Sequence, residues 1–313
     1  MNGTISLQIT KCKAYIDFML RQQQWSGLTK PEIDQWLRNF DSLSDKELLL
    51  VYKLLANLIY FSEADVISAL REGVYKTLYY SAILNKQLES GFTLSEKAMA
   101  NIIQEELGKS CFIPLLDSGA PHESGNYVTR TLVQQEIISQ RQSVFINRLP
   151  EIFRTGKISK LVIVDDCVGS GQQLSDFWQE ATIPYDQGVI TLQALCAQHN
   201  VEAHYLTLFG YDKNILRLQE AFDNLTIHCV RMLTDGQRVF SDNAYIWKDA
   251  AERDEAEKLF AELCQEAGIP LLGYRDLDFA FVMHRTIPDW TLPLFWKETA
   301  NWKLLMRRKN SHD

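Results

Sequence analysis

The sequence predicts an α/β fold built on a parallel sheet. Four short apolar runs have the length of buried strands, and segments with helical spacing separate them. The runs lie at residues 111–116, 161–164, 204–209 and 225–230. Alternation of strand, helix and strand favours a parallel sheet joined by right-handed crossovers.

Helical periodicity predicts the elements between and after these strands. We expect helices over residues 131–141, 188–198 and 214–222, and a charged amphipathic helix over 249–267. Gly268 and Pro270 end the last of these.

Residues 1–105 are predicted to be helical throughout. Thr29 with Glu32, and Ser44 with Glu47, have the spacing of N-terminal capping boxes. Short helices of this kind fit a winged-helix-like module that precedes the sheet.

This N-terminal module is expected to contact a partner. Acidic residues on its helices disfavour insertion into a DNA groove. We therefore expect contact with a protein, or with the protein part of a nucleoprotein, through apolar groups such as Trp25, Trp36 and Phe40. A helical cap with no partner is the alternative.

Composition favours a cytoplasmic globular protein. The 313 residues carry a formal charge of −8, and no segment has the basic excess typical of nucleic-acid binding. No apolar run is long enough to span a bilayer and no basic-apolar leader opens the chain, so we expect neither a membrane anchor nor secretion. The six cysteines are expected to be reduced thiols, and the six histidines show no metal-ligand spacing.

The segment 161–174 carries most of the functional signal. Its apolar strand leads into Asp165 and Asp166, where we expect the strand to surface, and then into a loop of small residues, Gly169–Ser170–Gly171. Open α/β sheets bind ligands at the carboxyl ends of their strands. A helix resumes at Leu174, and a loop before a helix N-terminus forms an anion site, since unpaired N–H groups and the helix dipole face it.

This segment resembles the phosphoribosyl pyrophosphate loop of type I phosphoribosyltransferases. The resemblance implies that Asp165 and Asp166 hold the ribose hydroxyls and act in catalysis. It also implies that the loop holds the 5′-phosphate, through Cys167, Val168, Gly169, Ser170, Gly171, Gln172 and Gln173. A Mg²⁺ ion bound with a phosphoribosyl pyrophosphate-type donor is implied as well.

Two positions of this motif have alternative interpretations. Gln173 stands where the family usually has a second hydroxyl residue that bonds the phosphate. Cys167, near a helix N-terminus, is either a reactive thiol or simply a small loop residue. More generally, the segment could be the strand-to-helix turn of another doubly wound domain, with both Asp side chains solvated.

A second phosphate-binding loop is predicted after the first sheet strand. In the family this loop supplies amides to the pyrophosphate. Ser118 and Gly119 fit that role, and Arg130 is near enough in sequence to add a cation. A surface loop rich in turn-forming residues is the alternative. No segment is identifiable as the mobile catalytic loop of such enzymes.

The C-terminal segment 284–296 combines two prolines with several aromatic residues. Trp290, Phe295 and Trp296 are expected either to stack on a base at the active cleft or to pack in the core. Together with the acidic loop, this stretch is similar to the phosphoribosyltransferase-like proteins of prokaryotic conflict systems. Some of these are found beside retron reverse transcriptases.

These resemblances imply a domain order and a function. We expect a regulatory module at 1–105, a phosphoribosyltransferase-like core at 106–235 and a hood-like extension at 236–313. The implied function is an anti-phage toxin that transfers or cleaves a ribosyl-phosphate group. Its expected partner is a protein or nucleoprotein, such as a reverse transcriptase with its RNA–DNA, bound through residues 1–105. The alternative is a non-catalytic sensor of a nucleotide or phosphosugar that signals to a protein partner.

Overall fold

The computed structural model describes residues 2–116, 124–284 and 286–307. Its α-helices are α1 (Asn2–Arg21), α2 (Lys30–Leu37), α3 (Asp45–Ala56), α4 (Glu63–Glu72), α5 (Tyr80–Glu89), α6 (Glu96–Gly108), α7 (Ser124–Gln134), α8 (Leu149–Arg154), α9 (Gln172–Glu180), α10 (Leu192–Gln198), α11 (Asp212–Ala221) and α12 (Ala250–Ala267). Its strands are β1 (Ile59–Phe61), β2 (Ser110–Pro114), β3 (Lys160–Val168), β4 (Thr182–Tyr185), β5 (Gly188–Thr191), β6 (Glu202–Tyr211), β7 (Thr226–Leu233) and β8 (Phe281–Met283).

The chain forms two compact units. The first unit joins Met1–Val66 to Leu233–Asp313, and the second is Ile67–Met232. The sequence predicts separate modules for the N-terminal and C-terminal segments, at 1–105 and 236–313. The regulatory and hood-like roles of those modules stay predictions.

The first unit has a helical and aromatic core. Both capping boxes are confirmed, because Thr29 and Ser44 accept from the amides of Glu32 and Glu47, whose carboxylates accept in return. Trp36 is fully buried and donates its indole N–H to the carbonyl of Leu294 over 2.9 Å.

The prediction that residues 1–105 are helical throughout is wrong at β1. This strand pairs in parallel with β8, with Ile59 opposite Phe281. The Ile59 amide donates to Ala280 over 2.8 Å. A three-residue strand whose partner is so distant in sequence leaves no local periodicity to detect.

The second unit contains the predicted sheet. Four strands lie in the order β2–β3–β6–β7. β3 is parallel to β2 on one side and to β6 on the other. All five residues of β2 are buried, and so are nine of the ten in β6. This confirms the α/β fold class with a parallel sheet.

Two helix predictions in this unit need correction. Residues 188–198 are not one helix, because Gly188–Thr191 is a strand that forms an antiparallel hairpin with β4. The helix begins only at Leu192, where the Thr191 hydroxyl caps it. The helix predicted at 131–141 is α7, which starts earlier, at Ser124, and ends at Gln134. Glu136 just beyond it has a φ of 53°, which ends the helical path.

Within the described residues, no helix combines the length and apolar character needed to cross a membrane. None of the six cysteines, all of which lie in described segments, is in a disulfide.

Candidate functional site

β3 carries both carboxylates inside the sheet. The strand continues through Val168, and Asp165 and Asp166 are only 2% and 5% exposed. The expectation that the strand surfaces at these residues is therefore wrong. Successive side chains of a strand project to opposite faces, so the two carboxylates lie on different faces of the sheet.

Asp165 shares its face with Tyr205 of β6. The Tyr205 hydroxyl donates to Asp165 Oδ2 over 3.4 Å, and the Asp166 amide donates to Asp165 Oδ1 over 2.9 Å. Burial, and then the nearby Asp165 charge, raise the pKa of Tyr205 well above its ordinary value. The hydroxyl therefore stays protonated and serves as a donor to the carboxylate.

The loop after β3 turns directly into α9. Gly171 is the residue before the helix and has a φ of 76°, a left-handed conformation that favours glycine. A Cβ atom at this position would lie 2.6 Å from Leu218 Cδ1. Ser170 Oγ accepts from the Gln172 amide over 3.3 Å, which satisfies one N–H of the first turn of α9. Both conformation and space therefore require the second glycine of the predicted loop.

Helix α11 holds the loop from the side of β6. Asn214 donates its amide N–H to the carbonyl of Gly169 over 2.7 Å, and the Arg217 guanidinium donates to the carbonyl of Ser170. Gly210 permits this approach, since a Cβ there would lie 2.8 Å from Val168 Cγ1 and 2.9 Å from Ile215 Cδ1. Sequence reasoning missed Asn214 and Arg217. Their position in the chain could have indicated them. Helix α11 follows β6, the strand beside β3, and so begins at the same end of the sheet as the loop after β3.

The remaining residues of the predicted loop differ in exposure. Val168 and Gly169 are buried, whereas Cys167 and Ser170 are partly exposed. Gln172 and Gln173 are exposed in the first turn of α9, and Gln172 donates to Asp176 over 2.6 Å. Their predicted contacts with a phosphate stay predictions.

The second predicted phosphate loop is only partly described. Ser118 and Gly119 lie outside the described residues. Arg130 is an exposed residue of α7. The nearby Gly125 packs closely on the chain that leaves β2, since a Cβ there would lie 2.5 Å from the Leu115 carbonyl oxygen. The predicted role of Arg130 stays open.

The predicted aromatic residues belong to the first unit. Trp290 is 3% exposed and stacks on Phe281 at a centroid distance of 4.9 Å. Phe295 is fully buried against Trp36. Trp296 is partly buried and donates to the Thr291 carbonyl over 3.1 Å. These contacts are the ones expected if the three residues pack in the core. Their stacking on a ligand stays a prediction.

The aromatic groups expected to meet a partner are also in the core. Trp25, Trp36 and Phe40 are at most 1% exposed. A partner contact of this segment would therefore use other side chains.

No group of three or more potential metal ligands occurs in the part of the chain that the structure describes. His204 Nδ1 and His228 Nε2 lie 3.1 Å apart on neighbouring strands. Burial lowers the pKa of both, that of His228 to about 4. The pair is therefore neutral at neutral pH and joined by one hydrogen bond.

Comparison with known proteins identifies a protein family that matches this chain. The model of the family PRTase-CE matches residues 33–308. The chain is similar to the crystal structure of orotate phosphoribosyltransferase from Aeropyrum pernix, with 14% sequence identity over 49% of this chain and 70% of that chain and a TM-score of 0.25. No curated protein matches the chain.

Proposed function

Because the chain belongs to the PRTase-CE family, we propose that its second unit binds a phosphorylated ribose and transfers or cleaves the ribosyl-phosphate group. The observation that carries the proposal is the path from β3 through Gly169–Ser170–Gly171 into α9. It brings two carboxylates, a small-residue loop and a helix N-terminus together at one edge of a parallel sheet. This is where open α/β sheets bind their ligands.

In this proposal the loop holds the 5′-phosphate. Backbone N–H groups of the first turn of α9 point toward the loop, and the helix dipole favours an anion there. The Ser170 hydroxyl accepts the Gln172 amide through its oxygen, so its own O–H is a further donor that can point to a phosphate. Asn214 and Arg217 bind carbonyl groups of the same loop, so its amides are held in place before a ligand arrives.

One carboxylate of the pair would accept hydrogen bonds from the ribose hydroxyls. Asp165 already receives the Tyr205 hydroxyl on one face of the sheet. Asp166 projects to the other face. We assign it to the ribose because the resemblance to the phosphoribosyl pyrophosphate loop implies that role. Since Asp166 is 5% exposed, the ribose must displace groups that now cover it.

Catalysis would rest on position and charge. As the bond between the anomeric carbon and the leaving group breaks and an acceptor or water bonds to that carbon, an oxocarbenium-like centre develops, which buried carboxylates stabilise more strongly than water does. The carboxylate of Asp166, on the face assigned to the ribose, has oxygen donors of the type that Mg²⁺ prefers. When bound with a pyrophosphate-bearing donor, Mg²⁺ would supply charge neutralisation of the leaving group.

A sensor that binds the same ligand without turnover is the second candidate. Gln173 favours it, because an amide side chain replaces the hydroxyl that phosphoribosyltransferases use at this position. Pyrophosphate release separates the two candidates. Purified protein with 5-phosphoribosyl 1-pyrophosphate, Mg²⁺ and a mixture of small-molecule acceptors from a cell extract should release pyrophosphate above the Asp166→Asn background if it is an enzyme, because an acceptor or water then takes the ribosyl group. Calorimetric binding without release would identify a sensor, and neither binding nor release would contradict both.

We place this activity in defence against phage, as a toxin restrained by a protein or nucleoprotein partner. Support comes from the likeness of the acidic loop and of the segment 284–296 to proteins of conflict systems. Expression of the full chain without its partner should arrest growth, and Asp166→Asn should relieve the arrest at equal protein level. Arrest that persists in this variant would contradict a role of the loop in toxicity.

A further inference from the structure

The second unit contains a cavity of about 500 Å³ that the proposed function does not use. Its walls come from the turn Gly73–Thr77, from helix α6 and from the chain that follows α7. Cavities of this size commonly hold small organic ligands. None of the residues that we assign to the phosphoribosyl site belongs to the lining, so the cavity is a separate place on the protein.

One wall of the cavity is apolar. Leu107, Ile137 and Ile138 are 6%, 1% and 3% exposed, and the partly exposed ring of Tyr75 adds an aromatic surface. This wall favours a ligand with an apolar body, because binding removes apolar surface from water.

Hydrogen bonds tie the walls to one another. The Tyr75 hydroxyl donates to the Ile137 carbonyl over 2.9 Å. The side-chain amide of Gln142 donates to the Leu107 carbonyl of α6 over 2.5 Å, and its oxygen accepts from the Ser139 amide over 2.8 Å. The protein's own contacts therefore fix the shape of the cavity, which lowers the cost of ordering it on binding.

Glu136 is the one residue of the lining that is charged at neutral pH. In the part of the chain that the structure describes, no cation pairs with its carboxylate. The Arg71 guanidinium reaches the adjacent Gln135 and donates to its carbonyl group over 3.1 Å. Gln104 and Gln140 add two side-chain amides that hydrogen-bond to no other described residue. A carboxylate beside amide oxygens selects a cation with several N–H donors.

A carboxylate at position 136 is disfavoured by the local structure. The Glu136 amide donates to the Val133 carbonyl over 3.1 Å, and the Ile137 amide donates to the Leu132 carbonyl over 2.9 Å. These two bonds form a Schellman motif, in which the position of Glu136, with a φ of 53°, is usually glycine. The C-terminal end of a helix also carries a partial negative charge, which repels an anion. Residues that break local rules in this way are typical of functional positions.

We infer that this cavity binds a free small organic cation, with a flat amidinium or guanidinium head on an apolar body. The head donates two parallel N–H bonds to the Glu136 carboxylate, an arrangement that a compact ammonium group cannot make. Gln104 and Gln140 offer acceptors for its remaining N–H groups, and the body covers the apolar wall. The inference does not depend on the proposed function.

Titration of the full chain with benzamidine, followed by ligand-observed NMR, tests the inference. Benzamidine carries an amidinium on an aromatic ring and should bind with a Kd on the order of 1 mM. Benzamide has the same shape without the charge, and should bind at least about tenfold more weakly. Equal binding of the two compounds would contradict recognition of a cation.

Two variants test the role of the carboxylate. Glu136→Gln keeps the shape of the side chain and removes its charge, so the Kd for benzamidine should rise at least about tenfold. Glu180→Gln is the matched control, because Glu180 is also an exposed glutamate at the C-terminal end of a helix and lies outside the lining. It should leave the Kd unchanged. Equal effects of the two variants would show attraction to an acidic protein in general.

Glu136→Gly separates binding from stability. Glycine removes both the conformational and the electrostatic penalty, so this variant should melt at a higher temperature than Glu136→Gln and should also bind benzamidine at least about tenfold more weakly than wild type. A lower melting temperature than that of Glu136→Gln would show that the side chain supports the fold, and would contradict the inference.

A capped arginine, N-acetyl-arginine amide, distinguishes a free ligand from an arginine side chain of a partner protein. It carries the same type of head but has no ring to cover the apolar wall, so it should bind more weakly than benzamidine. Tighter binding would assign the cavity to a partner's arginine and overturn the inference of a free ligand. Absence of benzamidine binding to the folded chain up to about 10 mM would overturn the site itself. Circular dichroism verifies that each variant is folded.

Discussion

The Tyr205 hydroxyl of β6 donates to Asp165 Oδ2 of β3 over 3.4 Å, inside the parallel sheet. Burial keeps this hydroxyl protonated, since the pKa of Tyr205 is raised well above its ordinary value. The carboxylate is therefore held by one side chain from β6 and one amide of its own strand. This contact explains how an acidic residue remains inside a strand.

Tyr205→Phe should lower the stability of the chain by about 1 kcal/mol, because it removes a donor from a buried carboxylate and keeps the ring. Chemical denaturation measures the change. Tyr185→Phe is the control, since that hydroxyl makes an exposed contact with Gln198, and it should change stability by less than about 0.5 kcal/mol. Equal losses in the two variants would contradict a specific role for the Tyr205 hydroxyl.

Gly171→Ala should destabilise the chain by two separate effects, a left-handed φ and a clash with Leu218. The conformation alone costs roughly 1–2 kcal/mol. Gly91→Ala isolates that part, because Gly91 has a φ of 64° with nothing within 4 Å of an added Cβ. Gly188→Ala, which has neither problem, is the second control. Thermal melts should rank the losses as Gly171, then Gly91, then Gly188. A Gly171 variant as stable as the Gly91 variant would show that Leu218 gives way.

Asn214→Ala should weaken binding of a phosphoribosyl ligand about fivefold, because the Gly169 carbonyl loses its donor and the loop amides become less ordered. Calorimetry with 5-phosphoribosyl 1-pyrophosphate gives the affinity. Asn101→Ala, an exposed change on α6, should leave it unaltered. Unchanged affinity in a folded Asn214 variant would remove α11 from the site.

The free energy of unfolding should fall as the pH is lowered through the range in which the His204–His228 pair takes up protons. Burial, followed by the neighbouring His204, lowers the pKa of His228 to about 4, against an ordinary value of 6.5. Between these values the unfolded chain binds more protons than the folded chain, so stability present above pH 6.5 is lost towards pH 4. The loss is roughly 3 kcal/mol at most.

His228→Gln should flatten this dependence. Denaturation at several pH values should give a smaller slope between pH 6.5 and 4 in the variant, and the same slope as wild type between pH 7 and 8. An unchanged slope in the acidic range would show that other groups cause the loss.

The sequence predicted the sheet because its strands contain short, mainly apolar runs separated by helical periodicity. It predicted the loop from its small residues between a strand and a helix, and the structure shows why one of them is glycine, since φ at Gly171 is positive. It did not predict the burial of Asp165, which depends on a hydroxyl forty residues away in the sequence. Such a contact exists only once β6 lies beside β3.

The first unit was the harder part to predict. Its core joins Trp36 to Leu294 and Ile59 to Phe281, contacts between the two ends of the chain that no local pattern encodes. For the same reason, the predicted location of the N-terminal aromatic residues was wrong. Trp25, Trp36 and Phe40 look like contact residues when the N-terminal segment is read alone, and they are core residues once the C-terminal segment packs on them.

Binding of 5-phosphoribosyl 1-pyrophosphate to the Asp166→Asn variant is the most direct test of the central claim. The substitution keeps the shape of the side chain and removes the charge that accepts the ribose hydroxyl. Calorimetry should show a loss of about 1.5–3 kcal/mol, or roughly 10- to 150-fold in affinity, relative to wild type. Asp186→Asn removes an exposed carboxylate of the β4–β5 hairpin and should bind as wild type does. A folded Asp166→Asn variant with wild-type affinity would contradict the assignment of the loop as a phosphoribosyl site.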